Sequence, residues 1–157
     1  MEKSVKLKNF FVNFFSVISK AEERAVSSFS NDELTPKEMH LITATCVTKE
    51  KKKNNFTNIA KLLGITLGTL TTSFNRLAKK GFLSKVPSLK DKRIYYIEPS
   101  ENAVAMYHEF TNFHMKMVDG IVTTLEPAQL DILINSLEKL DTFFRKVKEE
   151  YKKERVR

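Results

Sequence analysis

The sequence has 157 residues, 41% hydrophobic and 29% charged, which is typical of one soluble domain with a sizeable core. A single cysteine excludes an intrachain disulfide framework and a cysteine-based zinc cluster, and no uninterrupted apolar run is long enough to span a bilayer. The 27 basic and 19 acidic residues give a formal charge of +8, which favours contact with a polyanion such as nucleic acid.

Residues 5–29 predict a long amphipathic helix, because apolar side chains recur at three- and four-residue spacing. They are Leu7, Phe10, Phe11, Phe14, Phe15, Ile18, Ala21, Ala25 and Phe29. Basic residues precede this stretch as in a leader peptide, but polar residues interrupt it and no small-residue cleavage site follows. We therefore expect a helix of the mature protein, no membrane contact and a cytoplasmic location.

A capping box predicts the second helix, with Thr35 as N-cap, Pro36 at the first helical position and Glu38 at the third. This helix is expected to run to about Thr48. The following run KEKKKNN, residues 49–55, is read as a solvated loop, with a phosphate-binding patch as the alternative.

Two short helices and a hairpin come next. We expect Thr57 to cap the first helix, which stops at Gly64, and Thr66 to cap the second, which ends at Gly81. Two short helices joined at a glycine form a candidate helix-turn-helix. The strand-like runs 82–86 and 93–97, separated by PSLKDK, predict a hairpin directly after it, that is, a wing.

Two more long helices are predicted, one from the cap Ser100 and one from Pro127, with Glu126 as a candidate cap. The last helix carries apolar residues in an unbroken 3,4 rhythm that is typical of a coiled-coil-like contact. The terminal helices hold more apolar surface than the small core can cover, which predicts a homodimer; the alternative is that they close the core of a monomer. The expected interface residues are Phe10, Phe11, Leu130, Leu133, Leu137, Leu140 and Phe144.

The predicted fold is mainly α, a winged helix-turn-helix with the order α-α-α-α-β-β-α-α. We expect residues 1–157 to form a single domain. Within it, residues of about 1–33 and 100–157 would form the dimerisation helices, and residues of about 34–99 the DNA-binding core.

The helix after Thr66 has two chemically different sides. At 100° per residue, Leu70, Phe74 and Leu77 fall on one side and must face the core. Short polar residues and a glycine suit a helix that reads base edges in the major groove, whereas the alternative is a solvated face rich in threonine. The expected DNA-binding residues are Gly68, Thr69, Thr71, Thr72, Asn75, Arg76 and Lys79. Lys80 is a further candidate for phosphate contact.

The wing carries a second candidate contact. Asp91 stands two residues before Arg93, close enough to hold the guanidinium in a fixed direction. A held arginine at a hairpin tip suits the narrow minor groove, where negative potential is concentrated. Lys90 and Lys92 would meet the flanking phosphates.

The order of these elements, with the Asp-x-Arg wing tip, resembles the MarR family of dimeric winged helix-turn-helix regulators over nearly the whole chain. The segments 37–40, 66–82, 91–96 and 113–121 resemble the branch that represses fatty-acid synthesis genes. The resemblance implies a dimer on a palindromic promoter site, with long-chain acyl groups on acyl carrier protein as corepressor. It also assigns Gly68, Thr69, Thr71, Thr72, Asn75 and Arg76 to the groove and Asp91 and Arg93 to the wing tip.

The sequence departs from the family pattern in two places. Pro99, Ser100 and Ala103 stand where the family closes its second wing strand with Leu-Thr and a glycine three residues further on. Lys92 stands where many members carry arginine, which weakens a bidentate contact but keeps the charge.

An acyl chain would need an apolar space. Candidate effector-pocket residues are Phe14, Phe15, Met39, Ile42 and Phe110, although each is equally compatible with plain core.

Cys46 is read as a small buried residue rather than a peroxide-sensing thiol. No metal site or cofactor is expected, because no ligand spacing unites His40, His108 and His114, and no catalytic motif predicts an enzyme.

Two other functions stay open at this stage. One is a MarR-type repressor that responds to another small molecule or an oxidant. The other is a winged-helix protein-interaction module without DNA binding.

Overall fold

The computed structural model describes residues 2–154 of the chain. They form α1 (Glu2–Ser30), α2 (Pro36–Glu50), α3 (Phe56–Leu63), α4 (Leu67–Lys79), β1 (Leu83–Pro87), β2 (Tyr95–Pro99), α5 (Glu101–Thr124) and α6 (Pro127–Glu154). This order confirms the predicted winged helix-turn-helix. Within the described range, no helix is both long and apolar enough to cross a membrane.

The chain divides into two compact units, residues 1–113 and 114–157, and the boundary falls within α5. The first unit contains α1 to β2 and the first half of α5. Helix α1 belongs to the same unit as the helix-turn-helix, and the division into dimerisation and DNA-binding segments stays a prediction.

The core of the first unit is built around α2. The capping box forms as predicted: the backbone N–H of Glu38 donates to Thr35 Oγ1 at 3.3 Å, and the N–H of Thr35 donates to Glu38 Oε2 at 2.9 Å. The buried hydrophobic cluster combines residues of α1 to α5 and both strands. Its fully buried side chains include Val26, Met39, Ile42, Ile59, Leu70, Leu77 and Ile97.

The N-cap of α3 is Asn55, and the prediction of Thr57 is wrong. Asn55 Oδ1 accepts the backbone N–H of Asn58 at 2.8 Å. The helix begins earlier because Phe56 lies in its first turn and packs edge-on against Phe74 at a centroid distance of 5.1 Å. Gly64 ends the helix at φ 66°, the left-handed conformation that favours glycine.

The wing is an antiparallel pair in which Leu83 lies opposite Pro99 and Pro87 opposite Tyr95. Its second strand begins at Tyr95 rather than at the predicted Arg93, because residues 88–94 form the turn. Asn54 also joins β2: the N–H of Ile97 donates to Asn54 O at 2.8 Å, and Asn54 Nδ2 donates to Ile97 O at 2.9 Å. These bonds attach the loop between α2 and α3 to β2.

Candidate nucleic-acid interface

Helix α4 is held to the core by one face. Thr66 caps it as predicted, since Thr66 Oγ1 accepts the N–H of Thr69 at 3.2 Å. The three apolar side chains Leu70, Phe74 and Leu77 are 0%, 4% and 0% exposed. Their burial offsets the weak helix propensity of the other face, because tertiary packing supplies most helix stability in proteins.

The opposite face of α4 is open to solvent. All the residues predicted to read DNA from this helix are exposed: Gly68, Thr69, Thr71, Thr72, Asn75, Arg76 and Lys79. Thr71 donates to Leu67 O at 2.8 Å and Thr72 to Gly68 O at 3.1 Å. Each hydroxyl keeps oxygen lone pairs that can accept from an outside donor such as a base amino group.

Nothing within the described chain requires a glycine at position 68. A Cβ built there meets only Thr66 Oγ1 at 3.9 Å, which is ordinary van der Waals contact. Glycine in a helix costs stability relative to alanine. The absence of a side chain therefore fits close approach by a molecule outside the chain.

Lys80 pairs with groups at the beginning of α2, and its side chain is 39% exposed. Its ammonium group donates to Glu38 Oε1 at 2.9 Å, to Glu38 Oε2 at 3.0 Å and to Glu33 O at 2.6 Å. Lys80 thus fastens the end of α4 to the beginning of α2, and its contact with phosphate stays a prediction. Sequence reasoning missed this contact because the two partners are 42 positions apart.

The pKa of Glu38 reflects the same contact. Burial of the carboxyl group opposes its charge and on its own would raise the pKa. The hydrogen bonds from Lys80 and Thr35 and the charge of Lys80 outweigh burial, so the pKa of Glu38 is lowered. Glu38 is accordingly an ionised partner of both the capping box and Lys80.

The wing tip has the predicted aspartate–arginine geometry. Asp91 Oδ1 accepts the backbone N–H of Arg93 at 3.0 Å and its Nε–H at 3.3 Å. The Arg93 side chain is nevertheless 91% exposed. Asp91 thus restrains the direction of the guanidinium while leaving it accessible, and Lys90 and Lys92 beside it are exposed as well.

The basic loop before α3 is shorter than the predicted 49–55, because α2 continues to Glu50. Lys49, in the last turn of α2, pairs with Glu98 of β2 at 2.5 Å, whereas Lys51, Lys52 and Lys53 of the loop are exposed. The exposed part agrees with the predicted solvated loop and leaves three cations beside the wing.

The predicted effector residues lie in two environments. Met39, Ile42 and Phe110 are 0%, 0% and 3% exposed and belong to the hydrophobic core. Phe14 and Phe15 are 41% and 60% exposed on α1. Met39, Ile42 and Phe110 therefore lie in the same core cluster, and a pocket formed by all five residues stays a prediction.

The predicted dimer residues are accessible in the single chain. Phe10 of α1 is 56% exposed, and Leu137 and Phe144 of α6 are each 52% exposed. Phe11, Leu130, Leu133 and Leu140 are half-buried.

Cys46 is buried, as predicted, and burial raises the pKa of its thiol to about 11. It borders a cavity of about 370 Å³ that Val104, Tyr107 and His108 also line.

His40 lies elsewhere, 3.5 Å from Glu22 Oε2 and edge-on to the ring of Phe110. No group of three or more histidine, cysteine, aspartate or glutamate residues within positions 2–154 is arranged to hold a metal ion.

Comparison with known proteins agrees with this architecture. Residues 46–95, from the end of α2 to the start of β2, match the model of the MarR family. No curated protein sequence matches the chain significantly.

Several solved structures share the fold over most of the chain. FabT of Streptococcus pneumoniae, solved in complex with DNA, has 23% identity and a TM-score of 0.82, with 92% of this chain and 99% of FabT covered. The S. aureus MepR–DNA complex has 17% identity and a TM-score of 0.70, with 87% and 96% covered. The transcriptional regulator BldR from Sulfolobus solfataricus has 17% identity and a TM-score of 0.62, with 90% and 96% covered. Residues 46–95 therefore resemble the MarR family, and the chain shares the winged helix-turn-helix fold of these solved regulators.

Proposed function

We propose that this regulator binds a palindromic operator as a homodimer and represses fatty-acid synthesis genes, with long-chain acyl groups on acyl carrier protein as corepressor. The observation that carries the DNA-binding part is the division of α4. Leu70, Phe74 and Leu77 are buried, while the glycine, threonines and Asn75 on the other face are exposed. A helix built in this way presents a narrow hydrogen-bonding edge that fits the major groove.

Charge supports the same proposal. The chain has a formal charge of +8, and Arg93, Lys90 and Lys92 converge at one exposed wing tip. Contacts of this kind supply affinity through release of counterions from the DNA backbone, so binding should weaken steeply as salt is added.

The dimer is proposed from exposed apolar surface. Phe10, Leu137 and Phe144 each expose more than half of their surface in the single chain. Large exposed apolar side chains on long helices are typical of surfaces that another chain covers. A dimer would also present two recognition helices to two half-sites, which is the geometry that a palindromic operator requires.

The proposed link to fatty-acid synthesis depends on sequence resemblance, chiefly residues 66–82 and 113–121. The fold similarity to S. pneumoniae FabT is consistent with this branch. A corepressor must bind the DNA-competent state more tightly than the other states, and its binding must therefore tighten DNA binding reciprocally.

DNA binding is tested by gel shift and fluorescence anisotropy on the duplex upstream of the chain's own gene. We expect a specific complex that Arg93→Ala weakens. Arg145→Ala is the matched control, because Arg145 is likewise exposed and paired with an aspartate, at 2.7 Å from Asp141, but lies in α6 outside the wing. An equal loss of affinity for the duplex in both variants would assign the effect to net charge and not to the wing.

The corepressor is tested in the same anisotropy titration with saturating long-chain acyl carrier protein. We expect tighter operator binding than with the unacylated carrier. Equal affinity with both forms would eliminate the acyl group as effector while leaving DNA binding intact.

The cavity beside Cys46 favours a second candidate, a MarR-type repressor that senses another small molecule. Its volume of about 370 Å³ lies within the range of small-ligand pockets, and its walls combine Val104 and Tyr107 with the polar groups of Lys49 and His108. The buried thiol argues against an oxidant as the signal. Val104→Phe should fill the cavity, and an effector response that survives it would exclude this cavity as the sensor.

The third candidate, a winged-helix interaction module without DNA binding, agrees less well with the exposed threonine face and the held arginine. Absence of any specific complex between the parent protein and its upstream DNA would favour this candidate.

A further inference from the structure

A fully exposed leucine stands at the tip of the wing. Leu89 has a relative exposure of 104%, the highest among the large hydrophobic residues that the structure describes as exposed. It lies between Ser88 and Lys90 in the turn that joins β1 to β2. Packing within the described chain does not account for a leucine there, because no part of its side chain is covered.

The turn around Leu89 is well fixed. Ser88 Oγ accepts the backbone N–H of Lys90 at 3.2 Å and that of Asp91 at 3.4 Å. The N–H of Ser88 donates to Ile94 O at 2.8 Å, and the N–H of Ile94 donates to Asp91 O at 2.9 Å. These bonds close the turn at both ends, so Leu89 is presented outward by a hydrogen-bonded backbone.

The surroundings of this leucine are basic. Lys90, Lys92 and Arg93 are all exposed within four positions of it. An apolar partner surface would leave these cations without compensation, whereas a polyanion would neutralise them. Among polyanions, duplex DNA also offers apolar sugar and base-edge surface within a groove.

The geometry points to Leu89 as an apolar contact that enters the minor groove beside Arg93, lies against the sugars and base edges, and favours easily deformed pyrimidine–purine steps. This inference rests on the proposed function, since it requires that the wing bind DNA. Leucine is one of the side chains that proteins insert at the minor-groove side of base steps, and such steps are the easiest to unstack. The contact would add affinity by removing apolar surface from water, and therefore would not depend on salt.

The experiment compares Leu89→Asn, Leu89→Met and Lys90→Ala with the parent full-length chain, by anisotropy on the upstream duplex at several salt concentrations. We expect Leu89→Asn to bind about five- to twentyfold more weakly at every salt concentration, with an unchanged slope of log affinity against log salt. Leu89→Met should retain most of the affinity. Lys90→Ala should reduce the slope by about one instead, as expected for loss of a phosphate contact.

The step preference is measured by replacing the TA and CA steps in the wing-proximal part of the duplex with stiff A-tract steps. The parent should lose more affinity than Leu89→Asn does, because both proteins keep Arg93, which responds to groove width, and only the parent has the leucine at the deformed step. Parent-like affinity of Leu89→Asn, or a change in its oligomeric state measured by light scattering, would overturn the inference. Failure of the parent itself to form a specific complex would instead refute the proposed function. Equal thermal unfolding of Leu89→Asn and parent is expected, because the side chain contributes to no core.

Discussion

Lys80 donates to both carboxylate oxygens of Glu38, at 2.9 and 3.0 Å, across 42 positions of sequence. The same carboxylate accepts the N–H of Thr35 in the capping box of α2. One partly buried anion therefore joins the residue that ends α4 to the residues that begin α2. This contact helps to hold α4 in place, and it is separate from the exposed face that we propose to meet DNA.

Replacing Glu38 by glutamine should make stability depend less on pH. Glutamine at this position still accepts the capping-box hydrogen bond but carries no charge for Lys80, so we expect a loss of about 1 kcal/mol in the free energy of unfolding at pH 7. The pKa of Glu38 is lowered from its ordinary 4.5. A lowered carboxyl pKa stabilises the fold above the unfolded value, and that stabilisation disappears as the pH falls through the folded value.

The measurement is urea unfolding of parent and Glu38→Gln at pH 7, 5, 4 and 3. The difference between their free energies of unfolding should be constant above about pH 5 and should shrink below pH 4.5. Lys80→Met is the control, because it removes the cation that pairs with Glu38. The effect of Glu38→Gln on the free energy of unfolding should therefore be smaller in a Lys80→Met background than in the parent. A difference between parent and Glu38→Gln that stays constant down to pH 3 would mean that the charge of Glu38 does not stabilise the fold.

Gly68→Ala should separate stability from DNA binding. A Cβ at this position meets only Thr66 Oγ1, at 3.9 Å, so alanine fits without strain. We expect alanine to raise the free energy of unfolding by about 0.4–1 kcal/mol through reduced entropy of the unfolded chain. Affinity for the operator should fall, because the added methyl group occupies the leading face of α4.

Urea unfolding and anisotropy on the same preparation measure both effects. Gly120→Ala in α5 is the matched control, since a Cβ there meets nothing within 4 Å and alanine fits without strain as at Gly68. It should stabilise the chain similarly and leave DNA binding unchanged. Parent-like operator affinity of Gly68→Ala would show that this face does not approach DNA closely.

Local patterns predicted the parts of the fold whose causes are local. The cap at Thr66, the stop at Gly64 and the Thr35–Glu38 box all depend on residues a few positions apart, and all three form. The cap of α3 was misplaced because Asn55 and Thr57 are both good caps. What decides between them is the contact of Phe56 with Phe74, which lies 18 positions away.

Long-range contacts account for what the sequence did not predict. Lys79 and Lys80 are chemically identical and both exposed, and only the position of Glu38 gives Lys80 an ion pair across the fold. The pairing of Asn54 with Ile97 similarly spans 43 positions and has no local signature. The face of α4 was predictable because 100° periodicity alone separates Leu70, Phe74 and Leu77 from the residues opposite.

Cys46 should react slowly with thiol reagents while the chain is folded. Burial raises the pKa of the thiol from 9.0 to about 11; the charge of Lys49 opposes this rise and that of Glu50 adds to it. At pH 8 the thiolate fraction is then about one in a thousand, against about one in ten in the unfolded chain. We expect reaction with an aromatic disulfide reagent to be at least about a hundredfold slower in buffer than in guanidinium chloride. Rapid native-state modification, or loss of DNA binding after mild peroxide treatment, would revive the oxidant-sensing alternative.

Thr72→Ala and Asn75→Ala should reduce discrimination between operator and unrelated DNA while leaving the fold intact. Both side chains are exposed on α4, and the hydroxyl of Thr72 bonds only to Gly68 O within the described contacts. A lost base contact typically costs about 1–3 kcal/mol of discrimination, which is roughly a 5- to 150-fold change in the affinity ratio.

Thr111→Ala is the matched control, since Thr111 is also exposed on a helix and bonds to the carbonyl four residues earlier, Tyr107 O, at 2.9 Å. The measurement is the ratio of affinities for operator and scrambled duplex at fixed salt, with thermal unfolding as the check on folding. If both α4 variants keep the parent's ratio, the DNA-reading face has been assigned wrongly.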